Sequence, residues 1–360
     1  MVVRPQPARR DDAVVSVVIP CYNYGRYLGA AIGSALDQSG VHPKVIVVDD
    51  CSSDDSLAVA REIAAGDERV DVVARATNGG PVATFNDGLT RVTGEYLVRL
   101  DADDLLTPGS LARSVALLDA HPEVGLVYGH PLHFVGQPPP QVNSRVHRWR
   151  IWPGRRWLAA RCASGTNVIT SPEVVMRRSV VDVVGGQRPE LAHAHDMEMW
   201  LRMATASDVA HLDGPDQAWH RDHDASLSTR LADPVAGLLE RLLAFEVLFG
   251  GSATQRADGA PLLATARHAL ALEAVRGASH MIDRGEPEVT LAPRLAEAAL
   301  TCDPDIVSTK DWAGYLRRVD TDGSRRLDRR LRAQWSANTY RLRRRLEAHR
   351  WRRTGVYERV

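Results

Sequence analysis

Two short acidic clusters carry the most chemistry in this chain of 360 residues, Asp49-Asp50 and Asp101-Ala102-Asp103-Asp104. Carboxylates at i and i+2 can converge on one hard cation and leave positions open for phosphate oxygens. A diphosphate leaving group needs such neutralisation as its bond breaks. The same acids can also cap helices or sit solvated in a turn. Asp50 has a further use, accepting a hydrogen bond from a nucleobase N–H or a ribose hydroxyl. Further on, His193-Ala194-His195-Asp196 opens an amphipathic run carrying Met199, Trp200 and Met203. A carboxylate at a helix N-terminus can be tuned as a general base. The plainer reading makes Asp196 a cap, the two methionines and Trp200 core, and His193 and His195 solvated loop residues. Trp219-His220-Arg221-Asp222-His223-Asp224 reads as a surface loop. There, His223 as a metal ligand or Arg221 as a pyrophosphate clamp would need partners from elsewhere.

The elements that must position these groups follow from periodicity. Short apolar runs at 14–19, 45–48, 70–73, 96–100 and 124–128 are predicted strands. Between them lie predicted helices: one over 27–36, one capped from Ser52-Ser53-Asp54, one from Pro81 to Gly94, one from Thr107-Pro108 to His121. Alternation of this kind implies right-handed βαβ units and a mainly parallel sheet, with ligands beyond the strands' carboxyl ends. Both acidic clusters then meet along one sheet edge. A strand at 174–176 and a helix at 196–206 follow. After Asp233-Pro234 only Leu/Ala/Arg helical stretches remain, at 238–249 and 261–284. The predicted organisation is a tail over 1–12, an α/β domain over 13–233 and a helical region over 234–360.

Forty-five Lys+Arg balance 45 Asp+Glu, so overall charge gives no case for nucleic acid. With 44% hydrophobic and 25% charged residues the composition is that of a globular chain. No run reaches the roughly 18 apolar residues of a spanning helix. The first twelve residues lack a signal peptide's apolar core. Cys21, Cys51, Cys162 and Cys302 lie far apart without a CxxC pair, which argues against a zinc site or a disulfide framework and suits a cytoplasmic protein. The charge is uneven, however. Residues 316–353 hold 14 Arg against Asp320, Asp322, Asp328 and Glu347, interleaved with Leu, Trp and Tyr. Such a helix can lie on anionic lipid or pack on an acidic domain.

Taken in order, the motifs resemble the family 2 glycosyltransferases, inverting enzymes of GT-A fold that use nucleotide-activated sugars. SVVIPCYNYGRYLGAAIGSALDQ is similar to their first strand and helix, and VIVVDDCSSDDS to the second strand and its acidic-serine turn. NGGPVATFNDGLTRVTGEYLVRLDADDLLTPGSL resembles the asparagine-bearing helix and the D-x-D strand. VVMRRSVVDVVGGQRPELAHAHDMEMWLRMA resembles the acceptor half, and WHRDHDASLS the closing loop. The resemblance spans about residues 14–230. It implies a GT-A, Rossmann-like mixed sheet with a C-terminal helical extension. It implies that Asp50 recognises the nucleobase, that Pro20 and Tyr22 line the nucleotide pocket, and that Asn86 and Arg221 contact the donor. Asp103 becomes the principal ligand of Mg²⁺ or Mn²⁺, with Asp101 beside it and His223 a further metal or pyrophosphate contact, and Asp196 the general base. Two departures stand out. Thr84-Phe85 precede Asn86 where the family often has Arg, and His195 precedes Asp196 where it often has Glu.

The expected partners are a nucleotide-sugar donor and an acceptor of open identity, with no nucleic acid. Membrane-surface contact or a homodimer would use the C-terminal helices. A sugar nucleotidyltransferase would want a glycine- and basic-rich phosphate loop, whereas residues 20–25 supply one Gly and no Lys. A non-catalytic glycan- or lipid-binding scaffold would have no need of Asp50, Asp101, Asp103 and Asp196 together.

Overall fold

The computed structural model describes residues 1–136, 141–223, 233–250, 258–284, 291–320, 342 and 345–357. Gln137–Pro140, the 224–232 part of the acidic-histidine loop and most of the basic 316–353 stretch therefore lie outside the described residues. The chain divides into two compact units.

The first unit holds a ten-stranded mixed sheet. Its strands are β1 (Val2–Val3), β2 (Val14–Cys21), β3 (His42–Asp49), β4 (Val70–Ala74), β5 (Tyr96–Arg99), β6 (Leu105–Leu106), β7 (Val124–Phe134), β8 (Arg148–Trp152), β9 (Val175–Arg177) and β10 (Asp208–Arg221). They lie in the order β1-β8-β10-β7-β9-β5-β2-β3-β4, with β6 on β10. The helices α1 (Gly25–Leu36), α2 (Ser56–Gly66), α3 (Gly80–Leu89), α4 (Ser110–Ala120), α5 (Gly154–Ser164), α6 (Arg178–Val184) and α7 (His195–Ala206) connect them. The β-branched runs become strands because they are covered on both faces: Val15, Val17, Val18, Ile19, Val45, Val47 and Val48 are all fully buried. Met199, Trp200 and Met203 are core, as the plain reading of α7 has it.

Strands β2, β3, β4 and β5 pair in parallel. Strand β9 is antiparallel to both β5 and β7, and β10 is parallel to β7. Strands β2, β3, β4, β5, β7 and β10 consequently point the same way, and their carboxyl ends form one edge.

Three expectations need correction. Trp219-His220-Arg221 is not a surface loop but the end of the 14-residue β10. His195 is not a solvated loop histidine; it sits in the first turn of α7 and is buried. None of Ser52, Ser53 or Asp54 holds the cap position of α2, which falls on Asp55 without a side-chain bond. Asp54 Oδ1 nevertheless accepts the N–H of Ser56 at 3.0 Å, so the turn's acid still satisfies that first-turn N–H.

The second unit is helical: α8 (Pro234–Gly250), α9 (Gly259–Arg284), α10 (Leu291–Cys302), a 3₁₀ turn (Pro304–Ser308) and α11 (Lys310–Val319). Helix α9 packs against α8, α10 and α11. Its buried Ala266, Ala271, Ala274 and Ala278 allow close approach, and Phe245 of α8 and Leu270 are fully buried as well. Residues 159–166 group with this unit, and residues 352–356 group with the first. Among the described residues no helix is long and apolar enough to cross a membrane.

Candidate active site

The shared carboxyl edge gathers the chemistry. Asp50 follows β3, Asp101 and Asp103 follow β5, and Arg221 and His223 close β10.

On the β2–β3 side the turns are tied to each other. Asn23 and Cys51 adopt positive φ of 59° and 61°. Asn23 Oδ1 accepts the Ser53 N–H at 2.8 Å, and its own N–H donates to Ser52 Oγ at 3.0 Å. This leaves Pro20 half-buried and Tyr22 exposed by 47%, open to a ligand. Asp50 is buried, and its carboxylate accepts from Arg75 Nη1 at 2.9 Å and from the N–H groups of Gly79 and Gly80 at 2.9 and 2.8 Å. It thus sits on the N-terminus of α3, where the dipole favours an anion. Asn86 is likewise engaged: it donates to the Gln187 carbonyl and accepts the Gln187 N–H, both at 2.8 Å. That pair pins the loop leading into α7. Neither Asp50 nor Asn86 is idle in the free protein.

The D-x-D turn is built from both sides. Asp103 Oδ2 meets His223 Nε2 at 2.8 Å. Burial, followed by the neighbouring charge of Asp101, pushes the Asp103 carboxyl above the ordinary range. A buried carboxylate with a second carboxylate beside it and an imidazole in reach fits a divalent cation. Asp101 itself turns to Arg99 Nη2 at 2.9 Å. Arg221 is buried, its guanidinium between the rings of Tyr27 and Phe134 at 4.4 and 4.5 Å. Its Nε donates to the Asp103 carbonyl at 2.9 Å and its Nη1 to the Gly136 carbonyl at 3.0 Å. The expected pyrophosphate clamp is therefore placed as an internal strut under the D-x-D turn. Asp104 is fully internal, accepting the Arg221 N–H at 2.8 Å and pairing with His220 Nδ1 at 3.0 Å. Burial opposes the charged imidazole of His220. The bond to Asp104 and the charges of Asp101 and Asp103 outweigh it and push the ring up to about 9.

Asp196 lies in the first turn of α7, half-buried. Its Oδ1 accepts the Met197 N–H at 2.6 Å and its Oδ2 the Ser171 hydroxyl at 3.3 Å. Burial pushes its pKa up, against the Met197 N–H and the positive charge of Arg99.

Arg99 is the residue that sequence reasoning missed. Its Nη1 is 2.7 Å from His195 Nε2, its Nη2 reaches Asp101, and its Cζ lies 5.8 Å from the centre of the Phe85 ring. Burial, then the Arg99 charge, pushes His195 down to about 3, so it is neutral and accepts the guanidinium N–H at Nε2. One arginine thus links the first D-x-D aspartate to the turn that carries Asp196. The signal was available: a lone Arg ending an otherwise apolar buried strand, in the same chain that has Phe85 and His195 at its two departures. Glu173 was also missed. It is buried, accepts the Thr170 N–H at 2.6 Å and is held well above the ordinary carboxylate range by burial.

This sheet, with an acidic turn after β5 and a carboxylate at the start of α7, is a GT-A fold. Residues 16–185 match the family described as Glycosyl transferase family 2. An uncharacterized glycosyltransferase of Haemophilus influenzae is 35% identical over 102 residues, 28% of this chain and 41% of its own. The succinoglycan biosynthesis protein ExoO of Rhizobium meliloti is 39% identical over 106 residues, 29% of this chain and 30% of its own. The chain spans well under two thirds of the length of such relatives, 13% to 41% among four of them. In structure it is similar to the mannosyltransferase PcManGT from Pyrobaculum calidifontis, solved in complex with GDP-Man and Mn²⁺. The TM-score is 0.53 at 18% identity, over 93% of this chain and 86% of that one.

Proposed function

We propose that the protein is an inverting, metal-dependent glycosyltransferase that moves a sugar from a UDP- or dTDP-sugar to a hydroxyl or amine of a small-molecule, peptide or glycan acceptor. The observation that carries this reading is the joining of the D-x-D turn to the base-bearing turn of α7 through Arg99. A leaving-group site and a proton acceptor are thereby held to one scaffold. A glycan acceptor is in keeping with ExoO, a relative named for succinoglycan biosynthesis.

Asp103, Asp101 and His223 would hold the cation, which when bound neutralises the diphosphate of the donor. Arg221 fixes the Asp103 backbone from beneath, and the Asp104–His220 pair locks β10 to the same turn. Tyr22 and Pro20 offer an open face to the base and ribose, and Asp50 shapes the α3 N-terminus beside them. Asp196 takes the proton from the acceptor as it attacks the anomeric carbon on the face opposite the departing diphosphate. One displacement inverts that centre. A peripheral membrane role and a homodimer are proposals attached to the C-terminal region, and a cytoplasmic location is one attached to the dispersed cysteines.

The test is transfer to a panel of acceptors from UDP-, dTDP- and GDP-sugars with Mn²⁺ or Mg²⁺, with the product's anomeric configuration read by NMR. Donor turnover abolished in Asp103→Asn, with an inverted product in the wild type, supports the reading. A retained anomeric configuration, or no donor accepted by a protein that binds none, overturns it.

A further inference from the structure

A second cluster lies on the same edge, joined to the acidic turn through the His220–Asp104 pair. His133 and His220 are register partners on the parallel strands β7 and β10. Their rings lie 4.9 Å apart, and Asp222 follows one residue beyond β10. His133, His220 and Asp222 each offer one ligand atom, and these atoms lie within 4.8 Å of one another. His133 Nδ1 and Asp222 Oδ1 are already 3.1 Å apart. A tetrahedral ion with ligand bonds of ~2.1 Å needs about 3.4 Å between ligands, so small side-chain rotations would complete the set. Those rotations are available, because the His133 and Asp222 side chains are 54% and 51% exposed. His220 is the anchored member. Asp104 engages its Nδ1 at 3.0 Å and leaves Nε2 as the atom to offer an ion, the carboxylate–histidine arrangement that orients metal-ligating imidazoles.

We propose that His133, His220 and Asp222 form a second divalent-cation site that takes a borderline transition ion such as Zn²⁺. Two imidazoles and one carboxylate select such an ion over Mg²⁺, which wants oxygen ligands. Three protein ligands leave a fourth position for water. The site is distinct from the carboxylate site at Asp103 in both residues and ligand chemistry. Asp222 is already tied to β7 by its N–H, which donates to the Phe134 carbonyl at 2.9 Å; occupation would fix its side chain too, beside the neighbouring His223 that meets Asp103. The inference stands on the cluster's geometry and does not need the glycosyltransferase reading.

The test is equilibrium dialysis with Zn²⁺ and Co²⁺ titration read by visible absorption, on the full chain carrying Asp103→Asn and His223→Ala so that the first site is removed. The expected result is one Zn²⁺ per chain, a Co²⁺ spectrum of low coordination number, and no displacement by a hundredfold excess of Mg²⁺. Adding His133→Ala or Asp222→Asn, both at exposed positions that leave the core alone, should weaken Zn²⁺ binding at least tenfold. Undiminished binding in both of those variants overturns the site, as does a background protein that binds no Zn²⁺.

Discussion

At the scale of single residues, the proposed reaction depends on how Asp196 is tuned. A general base works deprotonated, and burial has raised this carboxyl above the ordinary value of about 3.9. Activity is therefore lost as pH falls through that raised value, and the acid limb of kcat/KM lies above the usual carboxylate range. Asp196→Asn should lower kcat by about 10²–10⁴-fold while donor affinity, read by calorimetry, stays close to wild type. An unchanged kcat would remove Asp196 from the role. Arg99 opposes the rise through its charge. Arg99→Met should shift the acid limb to still higher pH, whereas Arg99→Lys, which keeps the charge, should hold it near the wild-type position. Coincident limbs in Arg99→Met and wild type would mean that the arginine acts on structure alone. The aspartates of this site were legible in the sequence because D-x-D and a helix-opening Asp are short local patterns. Arg99 was not, since its meaning lies in three contacts, with Phe85, Asp101 and His195, that only the folded sheet brings together. The bonded states of Asp50, Asn86 and Arg221 were hidden for the same reason.

At the scale of elements, the βαβ half was readable because its strands are apolar on both faces. Runs such as 14–19 and 45–48 have no other stable place. Strand β10 escaped because its sequence, DVAHLDGPDQAWHR, has no sustained apolar run and is interrupted by Gly-Pro. Gly214 takes φ 116° and the pairing with β7 shifts register between His211 and Asp216, so the strand absorbs Gly-Pro as an irregularity. Two of its polar residues are held by partners far along the chain: Asp216 Oδ2 accepts the Asn143 N–H at 2.8 Å and Gln217 Nε2 donates to Ser114 Oγ of α4 at 2.9 Å. No periodicity rule sees partners more than seventy residues away. Gly94 shows the opposite case, a residue read as a helix stop that has a tighter duty. A Cβ there would fall 2.7 to 2.9 Å from Val14 O, Ser16 N and Tyr96 O, all backbone atoms at the entry of β2 and β5. Those atoms cannot move aside as a flexible side chain can. Gly94→Ala should therefore destabilise by about 3 kcal/mol, the upper end of overpacking costs. Urea unfolding followed by circular dichroism would show it, and a midpoint equal to wild type would refute the packing account.

At the scale of the whole molecule, sequence position and structural membership part company near the C-terminus. A boundary near residue 233 invites truncation there to isolate the catalytic unit. Residues 352–356 nevertheless belong to that unit. Tyr128 Oη donates to the Gly355 carbonyl at 2.7 Å, Arg150 Nε to the Arg353 carbonyl at 2.6 Å, and Val356 is 1% exposed. Gly355, at φ 75°, passes so close to His211 that a Cβ would lie 2.6 Å from its ring. Burying a valine contributes about 1.5–3 kcal/mol, and each lost hydrogen bond costs about 1 kcal/mol or more when its partner stays buried. Deleting residues 352–360 should accordingly lower the unit's stability by about 3 kcal/mol, or roughly 5–10 °C in Tm. Donor binding should fall with the folded fraction rather than through any contact with the donor. Calorimetric unfolding of the deletion beside the full chain checks this, and coincident transitions would show that the segment adds nothing. The same packing governs how the arginine-rich stretch should be probed. Lipid binding is best compared between the full chain and a variant with Arg343, Arg344 and Arg345 changed to Gln, because truncation would confound charge with the loss of a built-in segment of the sheet unit.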